Sequence, residues 1–170
     1  MTKALVTGGA GFIGSHLVDA LLDQGYEVVV LDDLSSGVKE NLDAAWNKHG
    51  ARLMLVIGSI CDVATVAAAM KGVQHVFHQA AKSLVPLSLD HPEMVTTVNV
   101  MGTLTVLQEA REAGVERVVY ASSASVYGDA IQEENGIPVG AVHEGRLPAP
   151  ISPYAASKLS AEYLCHTWTS

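Results

Sequence analysis

Ala4-Leu5-Val6-Thr7-Gly8-Gly9-Ala10-Gly11-Phe12-Ile13-Gly14 is the stretch that decides the fold. Three apolar residues run without alternation into a glycine-rich turn. From Phe12 onward the apolar positions Ile13, Leu17, Ala20 and Leu21 fall at helical spacing, and Gly25 stops that helix. Strand, glycine turn and helix in this order make a specific signal, which glycines alone do not. Gly8 permits the tight turn. Gly11 lets the backbone approach an anion because no Cβ intervenes, and Gly14 lets the helix pack closely on the strand. The helix N-terminus, from Phe12 and Ile13 to Gly14, then faces the anion with free N–H groups and a partial positive charge.

The same grammar repeats outward. Val28-Val29-Val30-Leu31 reads as a second strand, followed by a polar turn from Asp32 to Gly37 and a helical stretch to about Lys48. Leu53 to Ile57 is a third strand, and Val63 to Met70 a helix closed by Gly72. Val76-Phe77 centres a fourth strand. Pro92 opens a long helix to Ala113, closed by Gly114, and Val118-Val119-Tyr120 is a fifth strand. Wholly apolar strands separated by helices predict an α/β fold with a doubly wound parallel sheet covered on both faces. Residues 1–170 read as one domain, with 129–150 as a loop or flap within it.

Asp32 closes the second strand. A carboxylate there can accept hydrogen bonds from both hydroxyls of a ribose and repels a 2′-phosphate; no Arg stands beside it, and Asp33 adds a second charge. The expected ligand is therefore NAD rather than NADP.

Charge narrows the partners. With 10 Lys plus Arg against 18 Asp plus Glu, the formal charge is −8, which argues against a nucleic-acid surface. No apolar run approaches the ~18 residues a membrane span needs, and the start has no apolar signal core. Cys61 and Cys165 match no metal-ligand spacing, and His75 and His78, three apart on a strand, point to opposite faces. No metal is expected, and the cytoplasm is the expected compartment.

Downstream, the fifth strand runs into Ser122-Ser123-Ala124-Ser125-Val126-Tyr127-Gly128, and Tyr154-Ala-Ala-Ser-Lys158 opens a helix. Tyr154 and Lys158 are four apart and share a helix face. An ammonium beside a phenol favours the phenolate, which gives a base able to take a proton from a substrate hydroxyl.

Taken together, Thr7 to Gly14, Asp32 to Gly37, His78-Gln79-Ala80-Ala81, Asn99 to Thr103, Ser122 to Gly128 and Tyr154 to Lys158 closely resemble the extended short-chain dehydrogenase/reductase family, in particular its nucleotide-sugar epimerases and dehydratases. The resemblance covers essentially the whole chain and implies a Rossmann fold. It implies that Tyr154 is the acid/base, that Lys158 assists it and holds the nicotinamide ribose, and that Ser123 orients the sugar. It also implies that Ser36, Gly37 and Ile60 join Asp32 and Asp33 in binding the cofactor, and that Ser59 stands at the adenine amino group. Ala80, Ala81 and Lys82 would lie along the cofactor, with Asn99 supporting them. Related dehydratases and decarboxylases place an acidic residue soon after the catalytic Ser; here Ala124 and Ser125 stand there, which favours an isomerase of the UDP-hexose 4-epimerase type acting on a UDP-sugar. The family usually has Gly-Asp-Ile where this chain has Gly58-Ser59-Ile60, so one charged contact to the adenine is replaced by a neutral one.

Family members continue for well over a hundred further residues that close over the sugar. The expectation is therefore a cofactor-binding portion lacking the C-terminal substrate domain and weakly active or inactive alone. The alternatives are a dehydratase or decarboxylase of the same family, or a stand-alone, non-catalytic NAD-binding module. Helices 92–113 and 152–168 are the expected contacts of a possible homodimer.

Overall fold

A computed structural model describes residues 1–128, 132–134, 137–139 and 142–168. Five strands, β1 (Lys3–Thr7), β2 (Glu27–Asp32), β3 (Leu53–Ile57), β4 (His75–His78) and β5 (Arg117–Tyr120), form one parallel sheet in the order β3-β2-β1-β4-β5. The register sets Val6 between Val30 and Phe77, and Thr7 between Leu31 and His78. The strand order reverses between β1 and β4, and the crevice beyond the strand ends at such a point is where doubly wound sheets bind ligands.

The chain divides into two compact units. The first comprises Met1–Ala81 and Met101–Ala121; the second comprises Lys82–Val100 and Ser122–Ser170. The first unit holds the sheet. Alternation along the strands sends Ala4, Val6, Val28 and Val30 to one face, where they bury Val18, Leu21 and Leu22 of α1 (Phe12–Asp23) and Ala45 of α2 (Asp43–His49). Leu5, Val29, Leu31 and Val76 are buried on the other face, where α3 (Val63–Ala69) packs against β2 and against α6 (Gly102–Glu112). The sheet edges carry a few exposed apolar residues. Met54 and Ile57 on β3 and Val119 on β5, the two edge strands, are exposed.

The second unit contains α4 (Val85–Asp90), α5 (Pro92–Thr96) and α7 (Pro153–Thr167), with α4 and α5 both packed on α7. The sequence did not reveal α4; six residues are too few to show a helical period. The long helix expected over 92–113 is interrupted: α5 passes through a π-helical turn, Thr97–Met101, before α6 begins. The stretch 129–150, expected as a loop or flap, includes a short antiparallel pair, β6 (Gln132–Glu134) with β7 (Ile137–Val139). Residues 129–131, 135–136 and 140–141 of that stretch lie outside the described residues.

Candidate functional site

The glycines of the first turn do different work. Gly8 takes φ +69°, and a Cβ on it would stand 2.7 Å from the backbone nitrogen of Ala80. A Cβ on Gly14 would stand 2.1 Å from the carbonyl oxygen of Gly8. Both glycines are demanded by the fold. Gly11 is not. It is extended (φ −76°, ψ 175°), a conformation any residue adopts, and its Cβ would meet only the Gly8 oxygen at 3.2 Å. Without a side chain, the backbone is bare at the N-cap of α1. That helix has no capping side chain and no acidic residue in its first turn, and Phe12 and Ile13 flank the opening with exposed side chains. An uncapped helix N-terminus beside a bare backbone suits a pyrophosphate.

Asp32 is buried at the end of β2. Its Oδ2 accepts the N–H of Ala10 and its Oδ1 the N–H of Leu34, each at 2.9 Å. It therefore ties the glycine turn to the loop that follows β2. Asp33 and Ser36 are exposed, and the Asp33 carboxylate accepts from Ser35. Gly37 is buried against Ala10, whose carbonyl accepts the N–H of Val38 at 3.1 Å and the Asn41 amide at 2.7 Å. Asn41 went unnoticed in the sequence, where it is one polar residue in a polar stretch.

At the end of β3 the Ser59 hydroxyl accepts the N–H of Cys61 at 3.1 Å, and the side chain of Ile60 is buried, in the path of any Cβ on Gly102. Beyond β4, Ala80 and Ala81 are half-buried. The Ala80 N–H donates to Thr7 Oγ1 at 3.2 Å. His78 lies beneath, fully buried, bonded to Thr7 Oγ1 through Nδ1 at 2.6 Å and to Thr103 Oγ1 through Nε2 at 2.9 Å. All of these groups belong to the first unit. Among the described residues no cluster of three or more His, Cys, Asp or Glu could hold a metal ion.

Ser123, Tyr154 and Lys158 fall in the second unit, with Lys82 and Asn99. Ser123 caps a 3₁₀ turn over Ala124–Tyr127; its Oγ accepts the N–H of Ser125 at 3.2 Å and the Ser125 hydroxyl at 2.8 Å. With both bonds accepted, its own O–H is left to donate. Tyr154 and Lys158 are buried on α7, whose first turn contains Pro153 and is capped by Ser152 accepting from the Ala155 N–H at 3.1 Å. Burial pushes Lys158 down from 10.5 to about 8, partly opposed by Cys165 and the Glu162 carboxylate. Glu162 also accepts from the Ser122 hydroxyl.

Asn99, in the π-helical turn, accepts the Lys82 N–H at 2.8 Å and donates to the Lys82 carbonyl at 3.1 Å. Its amide also donates to Ser157 Oγ at 2.9 Å. Ser157 and Glu162 are contributors with no signal of their own in the sequence, and Ser125, which stands there only as a non-acidic residue, bonds to Ser123.

The NAD dependent epimerase/dehydratase family model matches residues 4–170. The UDP-glucose 4-epimerase of Mycolicibacterium smegmatis is 44% identical over 163 residues, covering 94% of this chain and 49% of that protein. A putative UDP-glucose 4-epimerase of Methanocaldococcus jannaschii is 38% identical over 160 residues, covering 93% and 48%. Among solved structures, the Thermus thermophilus UDP-glucose 4-epimerase in complex with NAD superposes with a TM-score of 0.85 at 36% identity, over 98% of this chain and 50% of that one. The Streptomyces venezuelae dTDP-glucose 4,6-dehydratase with NAD and TYD bound gives 0.87 at 41% identity, over 98% and 51%. The chain spans about half the length of the curated relatives it matches. No helix among the described residues is long and apolar enough to cross a membrane. A bare glycine turn on a five-stranded parallel sheet and a buried Tyr–Lys pair on α7 agree with this likeness, and the chain belongs to the NAD dependent epimerase/dehydratase family.

Proposed function

We propose that residues 1–170 are the NAD-binding, acid/base-bearing portion of a nucleotide-sugar epimerase that inverts C4 of a UDP-hexose. The observation that carries this reading is the bare Gly11 backbone at the uncapped N-terminus of α1. The N–H groups of Phe12, Ile13 and Gly14 hold the pyrophosphate. Asp32 accepts from the ribose, with Asp33, Ser36 and Gly37 around it, and the two carboxylates disfavour a 2′-phosphate. Ser59 and Ile60 border the adenine, and Ala80, Ala81, Lys82 and Asn99 support the cofactor's length.

Bound NAD supplies an acceptor, and then a donor, for the hydride at sugar C4. Tyr154 takes the proton of the C4 hydroxyl and returns it to the same oxygen. Lys158 is its cationic partner and holds the nicotinamide ribose. Ser123 donates its O–H to the sugar oxygen and so orients it. The choice of epimerase rests on Ala124 and Ser125, which put no carboxylate beside Ser123. A second reading, dehydratase, is favoured by the 41% identity to the dTDP-glucose 4,6-dehydratase. Residues 129–150 are a loop or flap within the domain, stretches 92–113 and 152–168 form a homodimer contact, and the cytoplasm is the site of action.

Calorimetry with NAD and NADP, followed by an assay of UDP-glucose and UDP-galactose interconversion, tests the proposal. NAD is expected to bind at least tenfold more tightly than NADP, and equal affinities overturn the cofactor assignment. Interconversion supports the epimerase; release of a 4-keto-6-deoxy sugar supports the dehydratase. NAD binding that no added C-terminal half of a relative converts into turnover supports a stand-alone binding module.

A further inference from the structure

Ser157 stands between Tyr154 and Lys158 in sequence and is buried, at 3% exposure. A serine inside a helix is worse than alanine for helix stability, and a hydroxyl bonded back to its own helix tends to bend it. Here the Ser157 O–H donates to the Tyr154 carbonyl at 2.7 Å. A π-helical turn, which carries Asn99, is likewise a departure from regular helix that recurs at functional positions. From that turn the Asn99 amide makes one buried bond to Ser157, at 2.9 Å.

The direction of that bond is fixed. Asn99 Oδ1 must face the Lys82 N–H, which is a donor, so the amide nitrogen is the end turned to Ser157. Ser157 Oγ must then accept, and its proton must go to Tyr154. The result is a one-way line of donors, Asn99 to Ser157 to Tyr154, whose other end clamps the N–H and C=O of Lys82.

We infer that Ser157 is a positioning residue that sets the first turn of α7, and hence Tyr154, in register with the Lys82 backbone. The inference rests on the cofactor assignment made above. It requires that loss of the hydroxyl disturb the nicotinamide end of the cofactor while sparing the adenosine end.

The test uses the 170-residue chain, with NADH followed by its fluorescence and ADP, which lacks the nicotinamide riboside, by calorimetry. Ser157→Ala is expected to weaken NADH at least fivefold and reduce its fluorescence enhancement, with ADP affinity within twofold of the parent. Ser157→Thr, which keeps a hydroxyl, is expected to restore NADH binding. The Asn99→Leu, Ser157→Ala pair is expected to lose no more than the worse single variant. Unchanged NADH binding in Ser157→Ala overturns the inference, as does an equal loss of ADP and NADH accompanied by a lower melting temperature. A parent chain that binds neither probe overturns the cofactor assignment itself.

Discussion

The carboxylate of Asp32 accepts the backbone N–H of Ala10, 22 residues earlier, at 2.9 Å. Its other oxygen holds Leu34, a non-glycine residue at φ +55°. Asp32→Ala strands both donors, and an unmet buried donor costs about 1–3 kcal/mol. We expect urea unfolding to show a loss of roughly 2 kcal/mol for Asp32→Ala and about half that for Asp32→Asn, which keeps one acceptor oxygen. Parent-like stability in Asp32→Ala would show that the turn is held by other means.

Gly11 and Gly14 separate binding from folding. A Cβ on Gly14 would collide with the Gly8 carbonyl at 2.1 Å, and the obstacle is backbone that cannot rotate away. Gly14→Ala is expected to destabilise by about 3 kcal/mol or more, as overpacking in a fixed site does. Gly11→Ala meets the Gly8 oxygen at 3.2 Å and nothing else within 4 Å. It is expected to melt within a few degrees of the parent while binding NAD at least tenfold more weakly. Thermal melts and NAD titrations on the same two samples decide the matter.

Lys158 makes stability depend on alkaline pH. Burial lowers it from 10.5 to about 8. Below pH 8 native and unfolded chains both hold the proton; between pH 8 and 10.5 only the unfolded chain does. Stability contributed by this group therefore rises with pH across that window, by roughly 3 kcal/mol in total. Lys158→Met should be the more stable protein at pH 7 and should lack the rise. The difference between the two proteins, measured by urea unfolding at several pH values, removes the titrations they share; a flat difference counts against a buried ammonium.

Ser59 offers a gain. Its hydroxyl already accepts the Cys61 N–H, and it brings no charge to an adenine amino group. Ser59→Asp is expected to tighten NAD severalfold, in line with about 1 kcal/mol for one added hydrogen bond. Calorimetry giving equal or tighter binding by the parent removes Ser59 from the adenine edge.

The order of the strands and of α1, α3 and α6 was legible because each strand centres on adjacent apolar residues and these helices are followed by Gly25, Gly72 and Gly114. The π-helical turn was not. The buried positions next to and within it include Asn99, Gly102 and Thr103, which carry no apolar signal, so the apolar pattern holds no record of the turn. Residue types at the site could be read where chemistry restricts them, as at Gly8, Gly14 and Asp32. Partnerships could not. The internal bonds of Asp32 end on backbone far away in sequence, and Ser157 looks like a spacer until Asn99 arrives beside it. The exposed β3 and β5 residues escaped for the same reason: which strands lie at the edge is a matter of topology.

The two units are braided along the chain: residues 82–100 of one interrupt the other, and 101–121 interrupt the first in turn. No single cut can free either as an intact piece. During synthesis the sheet waits for β5 before β4 gains its second neighbour, so 82–100 emerge before their own unit can be finished. Contacts between segments so far apart in sequence close late, because the entropy of closing the intervening loop must be met before the pairing is gained.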